Sequence, residues 1–255
     1  MLTKDRAICI RAVDYSETSQ VVTFFARASG KIAAIAKGSK RPKSSFDGPI
    51  EMLSQGRIVL SVSDKARLAT LTEFECGAGK AGPALLCKNL FNLNCCLLAA
   101  EILNSLTDEH DPHPNLFDSF SEFLQNAGET ESKSEMLALL ILFQLGLLKD
   151  VGLGPVLNHC VNCKTTSACP EGDIRHPTSQ LYFSSSANGL VCRNCESAFQ
   201  DKFKLTKNAA AALTNLKLLA EADENTLNQI EELFVYHFTE LTGRRPKMAK
   251  HILGI

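Results

Sequence analysis

Two pairs of cysteines restrict what this chain can fold into more than any other feature. The sequence has "CVNC" at residues 160–163 and "CRNC" at residues 192–195. Two such C-x-x-C knuckles can place four thiolates tetrahedrally around a zinc ion, with bonds of about 2.3 Å. A site closed by four thiolates has no open position for water, so it serves structure rather than catalysis. The sequence therefore predicts a structural Zn²⁺ held by Cys160, Cys163, Cys192 and Cys195.

The spacing between the two knuckles predicts an enlarged zinc ribbon. The 28 residues 164–191 separate the pairs, which is more than the usual gap of roughly fifteen to twenty. The stretch "QLYFSSSANGLVC" at 180–192 indicates a hairpin that leads into the second pair. We therefore expect the ribbon to be an insert covering about residues 156–200.

The other thiols are interpreted as free. The opening "MLTKDRAICI" has charges where a signal peptide needs an apolar run, so we expect no export signal and a cytoplasmic protein. A reducing compartment disfavours a disulfide framework. We predict Cys169 to be a spare thiol inside the ribbon, and His159 and His176 to be loop residues rather than ligands. The remaining cysteines are predicted to be buried thiols: Cys9, Cys76, Cys87, Cys95 and Cys96.

The first 80 residues have the short segments typical of strands. β-branched and aromatic residues, separated by Gly-marked turns, indicate strands at 6–13, 20–27, 32–37, 56–62 and 66–74. Five short strands within about 75 residues predict a small closed barrel such as an OB-fold. On periodicity alone, an SH3-like barrel fits almost as well.

The pattern changes to the helical period after Gly82. Helices are predicted over 84–106, 115–124, 132–150, 206–222 and 226–243. Ser132 and Glu135 form a capping-box pattern, and Thr206 and Thr226 are predicted N-caps.

The predicted fold class is α+β. We expect an N-terminal five-stranded OB-fold β-barrel (residues 1–80), followed by an all-helical domain (residues 81–255) that contains the four-cysteine zinc ribbon. The longest apolar run, "MLALLILF" at 136–143, is shorter than the ~20 residues that span a bilayer. We interpret it as a buried central helix and predict no membrane partner.

Charge is distributed unevenly along a nearly neutral chain. Residues 1–80 contain 13 Lys and Arg against 8 Asp and Glu, whereas residues 81–255 contain 14 against 20. Within "AKGSKRPKSSF" at 36–46, Lys37, Lys40, Arg41 and Lys43 occur with no acid. Such a cluster produces a local positive field that favours a polyanion. These four residues and Lys31 are the predicted nucleic-acid-binding residues.

Aromatic residues near the basic loop suggest a second element of nucleic-acid binding. Single-strand binding combines cations that follow phosphates with aromatic rings on which bases stack. Tyr15, Phe24, Phe25 and Phe46 are the candidate rings, although at least one of the adjacent pair Phe24 and Phe25 must face the core. A solvated hairpin tip would have the same composition as the basic loop.

Sequence signatures of common enzymes are absent. The chain has no P-loop, no G-x-G-x-x-G, no G-x-S-x-G and no H-E-x-x-H. It also lacks the H-x-E and P-C-x-x-C pair of zinc nucleotide deaminases. We therefore predict that the protein is not an enzyme. The alternatives are an RNA-binding OB-fold and zinc-ribbon protein of transcription or translation, and a scaffold that binds no nucleic acid.

The order of these features resembles the RecO family of bacterial recombination mediators. The resemblance is most specific at "DYSET" (14–18), "AKGSKRPKS" (36–44) and "GRRPK" (243–247), and it extends over essentially the whole chain. Two departures are modest: Ser16 replaces a frequent Gly, and Asn188 with Gly189 replaces a frequent Gly pair.

The resemblance implies a function without catalytic turnover. It implies binding of single- and double-stranded DNA, annealing of complementary strands, and partnership with RecR. It further implies help in loading RecA onto DNA coated by single-strand-binding protein. The expected location is the cytoplasm, at the nucleoid.

Overall fold

The protein is described from a computed structural model that covers residues 2–41, 44, 46, 48–61, 68–77, 83–165 and 180–254. Its contacts divide the chain into two compact units, Met1–Thr130 and Glu131–Ile255. The first unit contains the barrel strands and three helices, and the second contains the cysteine knuckles and the remaining helices. The domain boundary near residue 80 was inferred from the sequence pattern and stays a prediction.

Five strands close into a barrel, as predicted from their period. They are β1 (Leu2–Asp14), β2 (Gln20–Ala26), β3 (Gly30–Ala36), β4 (Gln55–Ser61) and β5 (Ala69–Cys76). The order around the barrel is β1-β2-β3-β5-β4, in which only β3 and β5 run parallel. This is a five-stranded barrel of the OB type, which confirms the predicted fold class.

The long first strand joins both sides of the barrel. Its first half pairs with β4 and its second half with β2, and Ala7 takes part in both ladders. The ladder with β2 shifts register between Cys9 and Arg11. There the Cys9 N–H donates to the Ser54 carbonyl at 2.9 Å, and the Leu53 N–H donates to the Cys9 carbonyl at 2.7 Å. Such a bulge bends a strand, which barrel closure requires.

Within the described part of the first unit, three helices follow the barrel: α1 (Pro83–Leu86), α2 (Leu90–Leu106) and α3 (Pro114–Glu129). The Asn89 side chain caps α2 by accepting from the N–H groups of Phe91 and Asn92. The buried Asn92 amide donates to the Ala127 carbonyl at 2.9 Å and the Thr130 carbonyl at 2.8 Å. These bonds satisfy carbonyls at the end of α3 that have no partner within their own helix.

The second unit combines helices with a small sheet. Its elements are α4 (Lys133–Asp150), β6 (Leu181–Ser184), β7 (Gly189–Cys192), β8 (Lys202–Lys204), α5 (Lys207–Thr214), α6 (Glu224–Thr242) and α7 (Ala249–Leu253). The sheet order is β7-β6-β8, and α4 packs against α6. The run at 136–143 lies in α4 and is largely buried, which confirms its predicted place in a core.

Two predicted caps are confirmed and one is wrong. The Ser132 hydroxyl accepts from the Glu135 N–H, and Thr206 accepts from the Ala209 N–H. Helix α6 begins earlier than expected, because Asp223 is its N-cap and accepts from the N–H of Thr226 at 2.7 Å. Asp and Thr are both good N-caps, so composition does not distinguish the two positions.

Among the described helices, none combines the length and apolar character needed to cross a bilayer.

Candidate metal centre and basic turn

The four knuckle cysteines lie together in the second unit. The sulfurs of Cys160, Cys163, Cys192 and Cys195 are all within 4.8 Å of one another. The sulfurs of Cys163 and Cys192 are 3.7 Å apart. A tetrahedron with Zn–S bonds of about 2.3 Å has edges of about 3.8 Å. The four thiols can therefore hold a metal ion, and a closed set of thiolates suits zinc.

Backbone pairing beside β7 brings the two knuckles together. The Val156 N–H donates to the Asn188 carbonyl at 2.9 Å, and the Val161 N–H donates to the Leu190 carbonyl at 2.8 Å. The chain before the first knuckle thus runs beside the strand that ends at Cys192. Gly189 permits this approach, because a Cβ there would lie 2.6 Å from the Val156 carbonyl oxygen.

Local hydrogen bonds favour thiolates at the first knuckle. The Cys192 N–H donates to the sulfur of Cys160 at 3.4 Å. The Thr165 hydroxyl lies 3.3 Å from the Cys163 sulfur, and hydrogen bonding to Thr165 lowers the pKa of the Cys163 thiol to about 6. Burial has the opposite effect at Cys192, whose thiol pKa is raised to about 12. A bound cation favours the deprotonated form of all four ligands.

An apolar shell surrounds the cysteine cluster. Cys160 and Cys192 are buried with Val191, and Tyr182 and Phe199 are among the half-buried side chains packed against them. Cys163 is exposed. Four thiols held this way leave no ligand position for a substrate, so the arrangement is suited to holding the ribbon together.

Predictions for the other thiols have mixed outcomes. Cys9, Cys95 and Cys96 are buried, as expected, and burial raises the pKa of Cys9 and of Cys96 to about 12. The prediction was wrong for Cys76 and Cys87, which are exposed because one ends β5 and the other lies in the turn after α1. His159 lies in an isolated β-bridge outside the named strands and helices, and it is not part of the cysteine cluster. Cys169 and His176 lie outside the described residues.

A basic turn, residues 37–41, follows β3 in the first unit. Lys37 and Arg41 are exposed, and the Arg41 N–H donates to the Gly38 carbonyl at 3.0 Å. Gly38 has a φ of 74°, in the left-handed region that suits glycine. Lys40 differs from its neighbours because its ammonium pairs with Asp14 at 2.5 Å. Lys43 lies outside the described residues.

The basic turn is fixed to the turn between β1 and β2. The Lys40 N–H donates to the Thr18 carbonyl at 3.1 Å, and the Gly38 N–H donates to the Ser19 hydroxyl at 3.2 Å. Tyr15, in the same β1–β2 turn, is 67% exposed. The stretches "DYSET" and "AKGSKRPKS" therefore meet in space through residues 14–18 and 38–40.

One buried amide secures both ends of the connection from β3 to β4. The Gln20 side-chain oxygen accepts from the Ser39 hydroxyl and from the Ile50 N–H, each at 2.9 Å. The Gln20 amide nitrogen donates to the Ile50 carbonyl at 3.3 Å. Sequence reasoning missed Gln20, and its only signal is a long polar residue at the start of an otherwise apolar strand.

Lys31 lies apart from the basic turn. Its half-buried ammonium donates to the Asn104 carbonyl at 2.8 Å and to the Thr107 carbonyl, at the end of α2. Burial lowers the pKa of Lys31. A cation at a helix C-terminus is stabilised by the exposed carbonyls there. The geometry shows a structural contact for Lys31, and a DNA contact at this residue stays a prediction.

Three of the four candidate stacking rings are buried, including both members of the adjacent pair of which at least one was expected to face the core. Phe24 and Phe25 are both fully buried, and Phe46 is 8% exposed in the barrel core. Phe24 packs against Phe74 inside the barrel. Phe25 points the other way and packs against Phe117 of α3, which covers that face of the barrel. Only Tyr15 of these candidates is exposed.

Comparison with known proteins identifies the family. The family model described as "Recombination protein O N terminal" matches residues 1–78, and "Recombination protein O C terminal" matches residues 87–249. A "DNA repair protein RecO" of Rhodopirellula baltica is 30% identical over 87% of this chain and 77% of its own length. The protein of that name from Bacillus subtilis is 30% identical over 76% of this chain and 69% of its own length. The one from Bacillus pumilus is 27% identical over 98% of this chain and 93% of its own length. The chain belongs to the recombination protein O (RecO) family.

Proposed function

We propose that this protein is a DNA-binding recombination mediator. It binds single- and double-stranded DNA, anneals complementary strands and, with RecR, helps to load RecA onto DNA coated by single-strand-binding protein. The observation that carries the proposal is the basic turn beside the exposed Tyr15 on an OB barrel, in a chain whose relatives are named DNA repair proteins.

The basic turn supplies the proposed phosphate contacts. Lys37 and Arg41 are exposed, so their cations are available to a polyanion. Lys40 is held by Asp14 and serves mainly to position the turn. Lys43, beyond the described residues, is proposed as a further contact. Tyr15 offers a ring on which a base can stack, and such stacking contributes about 1–3 kcal/mol per base.

The second unit is proposed to hold structural zinc and to meet protein partners. Cys160, Cys163, Cys192 and Cys195 would be its ligands, and the ion would fix the two knuckles relative to each other. No catalytic step is part of the proposal. The protein would act in the cytoplasm at the nucleoid, where RecR, RecA and single-strand-binding protein meet DNA.

Salt dependence of single-strand binding tests the role of the basic turn. If ~6 phosphates are neutralised, the slope of log affinity against log salt is about −4. Replacing both Lys37 and Arg41 by Ala removes two contacts and should make the slope less negative by roughly 1.4. Fluorescence anisotropy with a labelled oligonucleotide measures both slopes. Lys88→Ala, at another exposed lysine, should leave the slope unchanged. An equal slope in the double variant would remove the basic turn from the contact surface.

An annealing assay distinguishes a mediator from an RNA-binding protein. The protein should accelerate pairing of complementary DNA strands, and labelled RNA should not bind more tightly than DNA of the same sequence. A preference for structured RNA, together with no annealing of DNA, would contradict the proposed function.

A further inference from the structure

A cleft in the first unit is separate from the basic turn. It has a volume of about 410 Å³ and lies where β1, β4 and β5 meet α3. Its lining includes Arg6, Arg57, Gln55 and Ser121, with Phe117 as an aromatic wall. The proposed function uses none of these residues.

Two arginines face each other across the strands at this cleft. Arg6 of β1 is the direct cross-strand partner of Arg57 of β4. Like charges directly opposite each other destabilise a sheet unless another group neutralises them. Glu75 offsets part of this charge, because it lies opposite Arg57 with a carboxylate oxygen 3.8 Å from the guanidinium.

One acid of α3, Asp118, is paired with an arginine outside this cleft. Asp118 pairs with Arg27 at 2.7 Å, through two guanidinium nitrogens. The Arg6 guanidinium instead lies over the Phe117 ring, 5.4 Å from its centre. The lining therefore has an excess positive charge, with Arg6 oriented by an aromatic ring rather than by an acid.

A buried donor without a partner lies in the same cleft. The Gln55 side-chain oxygen accepts from the Ser121 hydroxyl at 2.8 Å, which fixes the orientation of the amide. The Gln55 amide nitrogen is buried and has no hydrogen-bond partner among the described residues. An unsatisfied buried donor costs free energy, so a ligand that accepts from it is stabilised.

We propose that this cleft binds a phosphate group. Arginine guanidinium groups pair with phosphate oxygens through two hydrogen bonds each, and the Gln55 amide adds a donor from a third side chain. A planar carboxylate is satisfied by one arginine fork, whereas donors from three side chains suit the tetrahedral oxygens of phosphate. The phosphate is either free, as inorganic phosphate or a nucleotide, or part of a DNA strand. The alternative in which the phosphate belongs to DNA rests on the proposed function, whereas the alternative of a free phosphate does not.

Inorganic phosphate tests the site without reference to DNA. Thermal unfolding of the full chain should occur at a higher temperature in phosphate than in chloride of equal ionic strength, since a ligand of the folded state stabilises it. The double variant Arg6→Gln with Arg57→Gln should weaken the apparent affinity roughly tenfold or more, because two charge-assisted contacts are lost. Gln55→Glu keeps the side-chain shape and should abolish the effect by repulsion. Arg11→Gln, at an exposed arginine of the same strand, is the matched control.

The outcomes separate the site, its ligand source and the proposed function. No phosphate effect in the native protein, or an equal effect in the double variant and Gln55→Glu, overturns the proposal. Stabilisation by a short acidic peptide but not by phosphate also overturns it, in favour of a carboxylate ligand. If phosphate binding is lost in the variants and single-strand affinity falls with it, the source is DNA. If only phosphate binding is lost, the source is a free phosphate, and this result stands even if the protein binds no DNA.

Discussion

At the scale of single residues, a buried carboxyl between two helices links the stability of the protein to pH. Glu231 of α6 is fully buried, and the Gln144 amide of α4 donates to one of its oxygens at 3.0 Å. Its other oxygen has no partner among the described residues. Burial raises the pKa of Glu231 to about 7. The carboxyl is therefore largely protonated in the folded state at pH values where the unfolded chain has lost the proton.

This pKa predicts how Glu231→Gln alters stability with pH. Between the ordinary glutamate pKa and about 7, only the unfolded state releases the proton, so native stability falls as pH rises through this window. The variant lacks that loss. Its stability relative to the native protein should increase by up to about 3 kcal/mol between pH 4 and pH 8. Urea unfolding at both pH values measures the change.

A neighbouring residue supplies the control for this experiment. Glu232→Gln removes a carboxyl that is exposed instead of buried, so it should not reproduce the pH-dependent change of Glu231→Gln. Parallel pH profiles for the native protein and Glu231→Gln would contradict the raised pKa.

Residue-scale features were the hardest to predict from sequence. Glutamate is a residue type typical of the protein surface, and only the packing of α4 against α6 places Glu231 in the interior. Gln20 and Thr165 likewise act through contacts that no local pattern indicates. The knuckle cysteines were predictable, because metal coordination demands one residue type at fixed spacing.

At the scale of elements, the small sheet β7-β6-β8 beside the cysteine cluster packs on α6. The Phe183 and His237 rings meet edge to face with centres 5.1 Å apart, and the Ser185 hydroxyl lies 2.7 Å from His237 Nδ1. The Tyr236 hydroxyl donates to the Asp201 carbonyl at 3.1 Å. One face of the small sheet is thus packed against α6. The position of the two cysteine pairs relative to each other, in contrast, would depend on a bound metal ion.

This arrangement predicts local rather than global damage from Cys192→Ser. Structural zinc contributes roughly 10–16 kcal/mol of binding free energy in small zinc-finger peptides, so loss of one ligand should release the metal. Elemental analysis of the purified variant should show the zinc content falling from about one per chain to near zero.

The matched control is another thiol. Cys87→Ser changes an exposed cysteine outside the cluster and should retain the metal. An unchanged zinc content in Cys192→Ser would refute the four-cysteine assignment.

Most elements could be predicted, and the failures have physical causes. Alternation of β-branched residues indicated all five barrel strands, because one face of each packs into the barrel. The predicted helix at 206–222 instead divides at Asn215, whose φ of −134° and ψ of 92° are extended, and continues as a short 3₁₀ helix. Phe25 was ambiguous because the sequence cannot show that α3 covers the outside of β2.

At the scale of the whole molecule, the two compact units should respond differently to loss of metal. All four candidate ligands belong to Glu131–Ile255, and the barrel belongs to Met1–Thr130. Incubation with a zinc chelator should therefore increase hydrogen exchange in β6, β7 and β8, because segments that are no longer held by the metal open locally. Strands β1 to β5 should keep their protection. Mass spectrometry of peptic fragments measures both regions in one sample, and loss of protection in the barrel would contradict independent responses.

The single amide of Gln20 has a consequence for how the family can vary. Ser39 and Ile50 both donate to the Gln20 side chain, which lies at the start of β2. The distance between Ser39 and Ile50 is therefore set by Gln20 and not by the chain that connects them. Doubling the length of a flexible loop whose ends are already fixed costs only about 0.6 kcal/mol. Insertions and deletions between these two anchors that leave Phe46 in its place in the barrel core should therefore leave the strand register intact. The number of cations in this connection can then change without a change in the barrel.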